Sequence, residues 1–343
     1  MQDIEILPKN HRIVSGMRTT GRLHLGNYHG ALKNWVKLQV DNRCFFFAAD
    51  WHALTTDYEH PAKISSNTSE IILDWLGAGL DPKKATLFIQ SHVPEHAELF
   101  LLLSMLTPLS WLERVPTYKE LKQKLKEKHL ATHGFLGYPV LQSADILLYK
   151  ADCVPVGEDQ VSHIELTREI ARHFNYLYVK DEQAPLLPEP RALLTKSSKM
   201  PGLDGQKMSK SYHNTIELRE DPKSVEHKLK TMPTDPARVR RSDPGEPEKC
   251  PVWRFHQVYS SPDVQEWVQV GCRTAGIGCL ECKRPVIDAV LAEQAPIRAK
   301  AEEYREHPHE VQTILKQGAE AAQEVAQKTL KEVRQCMGLS EHR

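Results

Sequence analysis

Apolar residues recur at two spacings along the first half of the chain. Arg12-Ile13-Val14-Ser15-Gly16 is a short apolar run closed by glycine. Asn27 to Gln39 then places Tyr28, Leu32, Trp35 and Val36 at helical spacing. Cys44-Phe45-Phe46-Phe47-Ala48-Ala49 predicts a strand covered on both faces. Ile64 to Leu76 predicts a helix stopped near Gly77 and Gly79, and Thr86-Leu87-Phe88-Ile89 the next strand. This order implies a parallel sheet with helices on its faces. Further helices are predicted over Glu95 to Leu106, Tyr118 to His129, Tyr138 to Tyr149 and Glu158 to Phe174. A buried strand is expected at Cys153-Val154-Pro155-Val156 and a mobile loop at Gly202-Leu203-Asp204-Gly205. Strand signals fade after Pro222, and Val311 to Met337 is rich in Ala, Glu, Lys and Gln, so the last third is expected to be helical.

Composition narrows the class. The 343 residues are 40% hydrophobic and 26% charged, as in an ordinary globular protein of about two domains. Apolar runs such as Leu99 to Leu103 are far too short for a membrane span. Met1-Gln2-Asp3-Ile4-Glu5 has no charged-then-apolar leader, so a cytoplasmic address and no membrane partner are expected. Lys plus Arg equals Asp plus Glu at 45 each, so any nucleic-acid contact must use a local patch. Arg238-Val239-Arg240-Arg241 and the lysines Lys119, Lys122, Lys124, Lys126 and Lys128 are the two candidates.

Two segments carry chemistry. Gly16-Met17-Arg18-Thr19-Thr20-Gly21 has the glycine spacing of a phosphate-cradling loop but lacks the Lys and hydroxyl that follow. Gly77-Ala78-Gly79 lacks the third glycine of a dinucleotide fingerprint. What remains is a strand, a turn, and His24-Leu25-Gly26-Asn27 entering a helix, whose free N–H groups and dipole favour an anion. Without a Cβ, Gly26 would let a flat ring approach. Lys207-Met208-Ser209-Lys210-Ser211 sets two lysines three apart on a loop, suited to stabilising charge on a leaving pyrophosphate.

His24 to Asn27 and Lys207 to Ser211 resemble the paired HIGH and KMSKS signatures of the class I aminoacyl-tRNA synthetases. Tyr138 to Tyr149 and Val154 to Gln160 resemble the tryptophanyl branch rather than the tyrosyl one, and the likeness runs from about Ile13 to about Met337. The resemblance implies activation of tryptophan with ATP and Mg2+, then transfer to tRNA(Trp). It implies a Rossmann-like parallel α/β catalytic domain over 1–220, with a helical insertion at about 91–135 through which a homodimer forms. An all-α anticodon-binding domain over 221–343 would follow.

The same likeness gives residues their roles. Lys207 and Lys210 would hold the phosphates, Met208 would lie near the adenine, and Met200, Ser209 and Ser211 would belong to the same ATP site. His24, Gly26 and Asn27 would line the ATP site, Arg18, Thr19 and Thr20 the phosphates, and Gly157, Glu158 and Asp159 the ribose. Asp145 would accept the indole N–H, with Tyr138, Gln142 and Gln160 around the ammonium and Gly16 beside them. Gln142 stands where tryptophan enzymes often carry Met, and Arg18 where they often carry Gln. A tyrosyl enzyme and an inactive RNA-binding paralogue are the rival readings.

Cys250, Cys272, Cys279 and Cys282 are separated by 21, 6 and 2 residues. Four thiolates suit zinc or an iron–sulfur cluster. A bacterial subset of the resembled family, with a similar segment and a first gap one residue longer, binds a [4Fe–4S] cluster there. Cys44, Cys153 and Cys336 read as ordinary packed residues.

Overall fold

The computed structural model describes residues 9–115, 132–180, 182–194 and 200–339. Five strands form one parallel sheet: β1 (Arg12–Arg18), β2 (Arg43–Ala49), β3 (Ala85–Ile89), β4 (Cys153–Val156) and β5 (Arg191–Leu194), in the order β3-β2-β1-β4-β5. β1 lies in the middle, and the order reverses beside it, which opens a crevice at the carboxyl ends of the strands. Period two divides the side chains between two cores. Ile13, Cys44, Phe46, Ala48 and Leu87 enter one, and Val14, Phe45, Phe47 and Phe88 the other. Both faces are therefore buried, as the near-continuous apolar run in β2 requires.

The helix expected from Asn27 forms as α1 (Leu25–Asn27), a wider π turn (Tyr28–Leu32) and α2 (Lys33–Leu38). Then come α3 (Asp50–Asp57) and α4 (Ala62–Ala78), the latter closed by Gly79 at φ +107°. α5 (Glu95–Ser104), α6 (Leu109–Arg114), α7 (His133–Leu147) and α8 (Val161–Tyr178) follow. The helix expected over Tyr118 to His129, with its five lysines, lies outside the described residues. β5 was not legible in the sequence, because Arg191-Ala192-Leu193-Leu194 is too short and mixed to signal a strand.

The last third is helical: α9 (Pro222–Thr231), α10 (Pro251–Tyr259), α11 (Pro262–Arg273), α12 (Cys279–Glu306) and α13 (Pro308–Cys336). α12 and α13 pack back on the sheet layer. A Cβ on Gly77 of α4 would meet the Ile297 carbonyl oxygen at 2.7 Å, and one on Gly318 of α13 would run into the Leu87 carbonyl of β3. Val286, Ile287, Val290 and Ile297 thereby join one core, and Ala319, Ala322, Ala326 and Leu330 the other. No helix among the described residues is long and apolar enough to cross a membrane.

Candidate active site

The segment after β1 and the loop after β5 meet. Leu25 N–H donates to the Ile216 carbonyl at 3.0 Å, and Leu218 N–H to the Leu23 carbonyl at 2.7 Å. Beneath this bridge Asp74, 1% exposed, accepts from Leu23 N–H at 2.8 Å and from Arg219 Nε at 2.5 Å. Arg219 also donates to Glu70 at 2.8 Å. Truncating one partner of such a buried pair leaves the other charge uncompensated. Asp74 was not singled out from the sequence, although a lone acid within Ile71-Ile72-Leu73-Asp74-Trp75-Leu76 was a readable signal.

A cavity of about 510 Å³ opens at this junction, lined by Thr19, Thr20, His24, Asn27, Ser209, Lys210 and Ser211 among others. Lys210 Nζ donates across it to the Thr20 carbonyl at 3.1 Å. Burial lowers the Lys210 ammonium below its ordinary value, opposed by Glu217 and Asp74. Asn27 Oδ1 accepts from His24 N–H at 3.1 Å and closes the first helical turn. Burial drives the His24 imidazole down to about 4, with Lys210 and then Lys207 adding to the effect, so the ring is neutral near pH 7. Gly26 is needed in place: a Cβ there would stand 2.8 Å from His24 Nδ1 and 3.4 Å from Met208 Cβ. Thr19 Oγ1 and His24 Nδ1, both on residues that line the cavity, are buried without a protein partner. Lys207 is exposed and outside the lining; Met200 and Met208 are buried below it, joined by Met208 N–H to the Met200 carbonyl at 3.2 Å.

The expected mobile loop is pinned by its own polar groups. Asn214 Nδ2 donates to Asp204 at 2.7 Å, its Oδ1 accepts from Ser209 N–H at 2.8 Å, and Gly202 N–H reaches the Gln206 carbonyl at 2.7 Å. Gly205 lies at φ +80° against Pro251, and Arg254 of α10 donates to its carbonyl at 2.5 Å. The loop is therefore fastened to the start of the helical module.

A second cavity of about 530 Å³ shares Met17, Arg18 and Asn27 with the first. Gly16, Tyr138, Gln142, Asp145, Gly157, Asp159 and Gln160 line it, together with His52, Thr55 and Phe135. Glu158 is not in the lining. Gly16 faces Phe47, whose ring a Cβ would meet at 2.5 Å. Arg18 donates to Thr56 Oγ1 at 2.5 Å, and Tyr138 Oη stands 3.3 Å from His163 Nε2. Asp145 forms the floor, 1% exposed. Burial alone would raise its carboxyl, yet hydrogen bonds from His52 and His96, then their charge, hold it below the usual range. His52, Gln90, His96 and Tyr149 around it were not picked out from the sequence. Gln90-Ser91-His92-Val93-Pro94-Glu95-His96, rich in polar groups just after a buried strand, was the available signal.

Cys250, Cys272, Cys279 and Cys282 gather at the other end of the pinned loop. Burial, with Cys250, Cys272 and Cys279 adding to it, pushes the Cys282 thiol up to about 12, so the four sulfurs feel one another. Arg238 Nη1 donates toward Cys272 Sγ at 3.8 Å, and His256 Nε2 pairs with Cys282 Sγ at 3.5 Å. Buried Lys283 adds a second cation beside three of the thiols. Arg238 corrects the expectation of a basic stretch facing RNA. It is 9% exposed, and its guanidinium is spent on the Ile277 carbonyl at 2.7 Å, the Arg241 carbonyl at 3.1 Å and the Cys272 sulfur. Val239, Arg240 and Arg241 remain exposed.

Comparison with known proteins points one way. The sequence profile of the family described as tRNA synthetases class I (W and Y) matches residues 8–293. A tryptophan–tRNA ligase of Ralstonia nicotianae is 55% identical over 96% of this chain and 98% of its own. One from Thermotoga maritima is also 55% identical, over 96% and 99%. The crystal structure of a Campylobacter jejuni tryptophanyl-tRNA synthetase with ADP and tryptophan superposes at a TM-score of 0.85, with 33% identity, over 96% of this chain and 100% of that one. A tyrosyl-tRNA synthetase from Archaeoglobus fulgidus shares the fold, at 20% identity and a TM-score of 0.63.

Proposed function

The chain belongs to the class I tRNA synthetases of the tryptophan and tyrosine group, as a tryptophan–tRNA ligase, and from that premise we propose how its own residues divide the work. The observation that carries the reading is the meeting of two distant signatures on one cavity, with a second cavity sharing its wall. ATP with Mg2+ takes the first cavity: Lys210 and Lys207 on the phosphates with Arg18, Thr19 and Thr20, and His24, Gly26, Asn27 and Met208 toward the adenine. L-tryptophan takes the second, its indole N–H toward Asp145 and its ammonium toward Tyr138, Gln142 and Gln160. Gly157 and Asp159 on that cavity's rim take the ribose.

The carboxylate of tryptophan then attacks the α-phosphorus where the cavities join, at Met17, Arg18 and Asn27. It is already ionised, so no general base is required. Neutral His24 donates or accepts hydrogen bonds without repelling the lysines. Lys210 stabilises charge that grows on the departing pyrophosphate, and the rate comes from positioning and electrostatics. The adenylate next gives tryptophan to a terminal ribose hydroxyl of tRNA(Trp).

The C-terminal region, about 221–343, takes the anticodon side through exposed Arg240 and Arg241. The four cysteines offer the donor set of a soft-metal group, with the buried cations Arg238 and Lys283 beside them to balance thiolate charge, although among the described residues no three ligating side chains stand arranged to hold a metal ion. We assign a [4Fe–4S] cluster there, with zinc as the alternative. Once bound, it supplies a structural cross-link of α10, α11 and α12, and no step of the reaction passes through it. Leu101, Met105 and Leu109, each more than half exposed between α5 and the start of α6, suit the seat of a second copy in a cytoplasmic homodimer.

Amino-acid-dependent ATP–pyrophosphate exchange by the pure protein tests the reading. Exchange driven by tryptophan and not tyrosine is expected. Exchange with tyrosine alone, or with neither, would overturn it.

A further inference from the structure

Both oxygens of Asp145 are already engaged. Its Oδ1 accepts from His96 Nδ1 at 2.6 Å and Gln90 Nε2 at 2.8 Å; its Oδ2 accepts from His52 Nε2 at 2.8 Å and Gln90 Nε2 at 3.0 Å. A carboxylate offers about four lone-pair sites, and here three donors crowd it, with the Gln90 N–H shared between both oxygens. For Asp145 to accept the expected indole N–H at full strength, one of these donors must give way.

The three donors are not equivalent. His96 is 0% exposed, and its Nε2 stands 2.7 Å from Tyr149 Oη. Ionised Asp145 can only accept, so His96 Nδ1 carries a proton toward it while Nε2 pairs with the Tyr149 hydroxyl. Gln90 is fully buried. Neither lines the cavity, whereas His52 does, on the wall beside Tyr138. His52 sits in the first turn of α3, where Asp50 accepts from Ser91 N–H at 3.1 Å, so the helix start is held against the Gln90 turn.

We propose that His52 is a positioning residue for tryptophan selectivity: it holds the Oδ2 acceptor of Asp145 in the empty pocket and yields it to the indole N–H. The proposal rests on the reading that Asp145 faces the indole. Recognition is then an exchange of one N–H for another on a carboxylate whose remaining bonds, to His96 and Gln90, do not change. It follows that a ring without an N–H meets a muted penalty, since His52 keeps its bond while that ring is bound. Removing the His52 donor makes the pocket stricter, because an N–H-free ring then buries an unpaired acceptor.

The test compares tryptophan with 3-benzothienylalanine, in which sulfur replaces the indole N–H, by kcat/KM in pyrophosphate exchange. In His52→Leu, which keeps bulk but has no donor, the preference for tryptophan should rise about tenfold or more over the parent. In His52→Gln, which restores an N–H, it should return toward the parent value. An equal change for both amino acids in His52→Leu would assign His52 a merely structural role and overturn the proposal. A readout on the unsubstituted protein stands if that variant does not fold. With 15N-labelled histidine, the His52 Nε2–H resonance should move on adding tryptophan and stay in place on adding the sulfur analogue; the same response to both would overturn it. Asp145→Ala separates the two layers. Lost preference there with none gained in His52→Leu sinks the exchange and keeps indole recognition, and unmoved preference in both variants sinks both.

Discussion

Lys210 and Lys207 belong to one short motif but occupy different surroundings. Lys210 is half-buried at the cavity and holds the Thr20 carbonyl; Lys207 is exposed on the outer side of the loop. The difference follows from the turn, which directs successive side chains to opposite sides of a pinned segment. Lys210→Ala should therefore lower kcat for adenylate formation by about 10²-fold or more, since a charge aimed at the transition state is lost. Tryptophan binding in the absence of ATP should hardly change. Single-turnover adenylate formation alongside equilibrium tryptophan titration checks this; equal losses in both would mean that the loop only binds. Gly26 shows the reverse case, in which a missing side chain lets the His24 ring lie over the backbone.

The signature loop and α10 form one mechanical unit at the scale of elements. Gly205 packs on Pro251, the residue after Cys250, and Arg254 from the next turn of α10 ties the Gly205 carbonyl. Arg254→Ala removes that tie and leaves a carbonyl without its partner, while every residue lining the ATP cavity stays. The expected result is a rise in KM for ATP of about 3- to 10-fold at little change in KM for tryptophan, from a bond worth roughly 1–2 kcal/mol. Steady-state pyrophosphate exchange reads both constants, and an unchanged KM for ATP would show that the loop holds its place without α10. The apolar run of β2 and the stripe of α4 predicted these elements well. The short β5 was not legible because its four residues are too mixed to signal a strand, and the π turn of the first helix and the pinning of Gly202 to Gly205 were not because they are settled by partners outside the local pattern, such as Ile216 for Leu25 and Asn214 for Asp204.

Burial of titratable groups gives the whole molecule a pH signature. His24 and His163 are both driven down to about 4, chiefly by burial, against an ordinary value of 6.5. A histidine with a lowered folded pKa binds fewer protons folded than unfolded, so the unfolded state gains as pH falls. Their contribution is complete above pH 6.5 and is lost progressively between 6.5 and about 4. Unfolding free energies from urea titrations across that window should fall steadily as pH falls, by at most about 1.4 kcal/mol per pH unit for each group. His163→Gln should flatten the decline, and the same slope in that variant would show that other groups govern it. The two cores tie the ends of the chain together in the same way, with α13 against β3 and α12 against α4.

The alternation of apolar runs specified a parallel α/β sheet followed by helices, and two short motifs with their flanking blocks specified the chemistry, because backbone periodicity and local residue sets are properties of neighbouring positions. The company that each residue keeps came from packing. Folding set Asp145 among His52, Gln90 and His96, turned Arg238 from a surface cation into a donor to sulfur, and joined the two signatures over the Asp74–Arg219 pair. Those contacts join residues tens to hundreds of positions apart, and they form where buried polar groups must find partners wherever the chain supplies them.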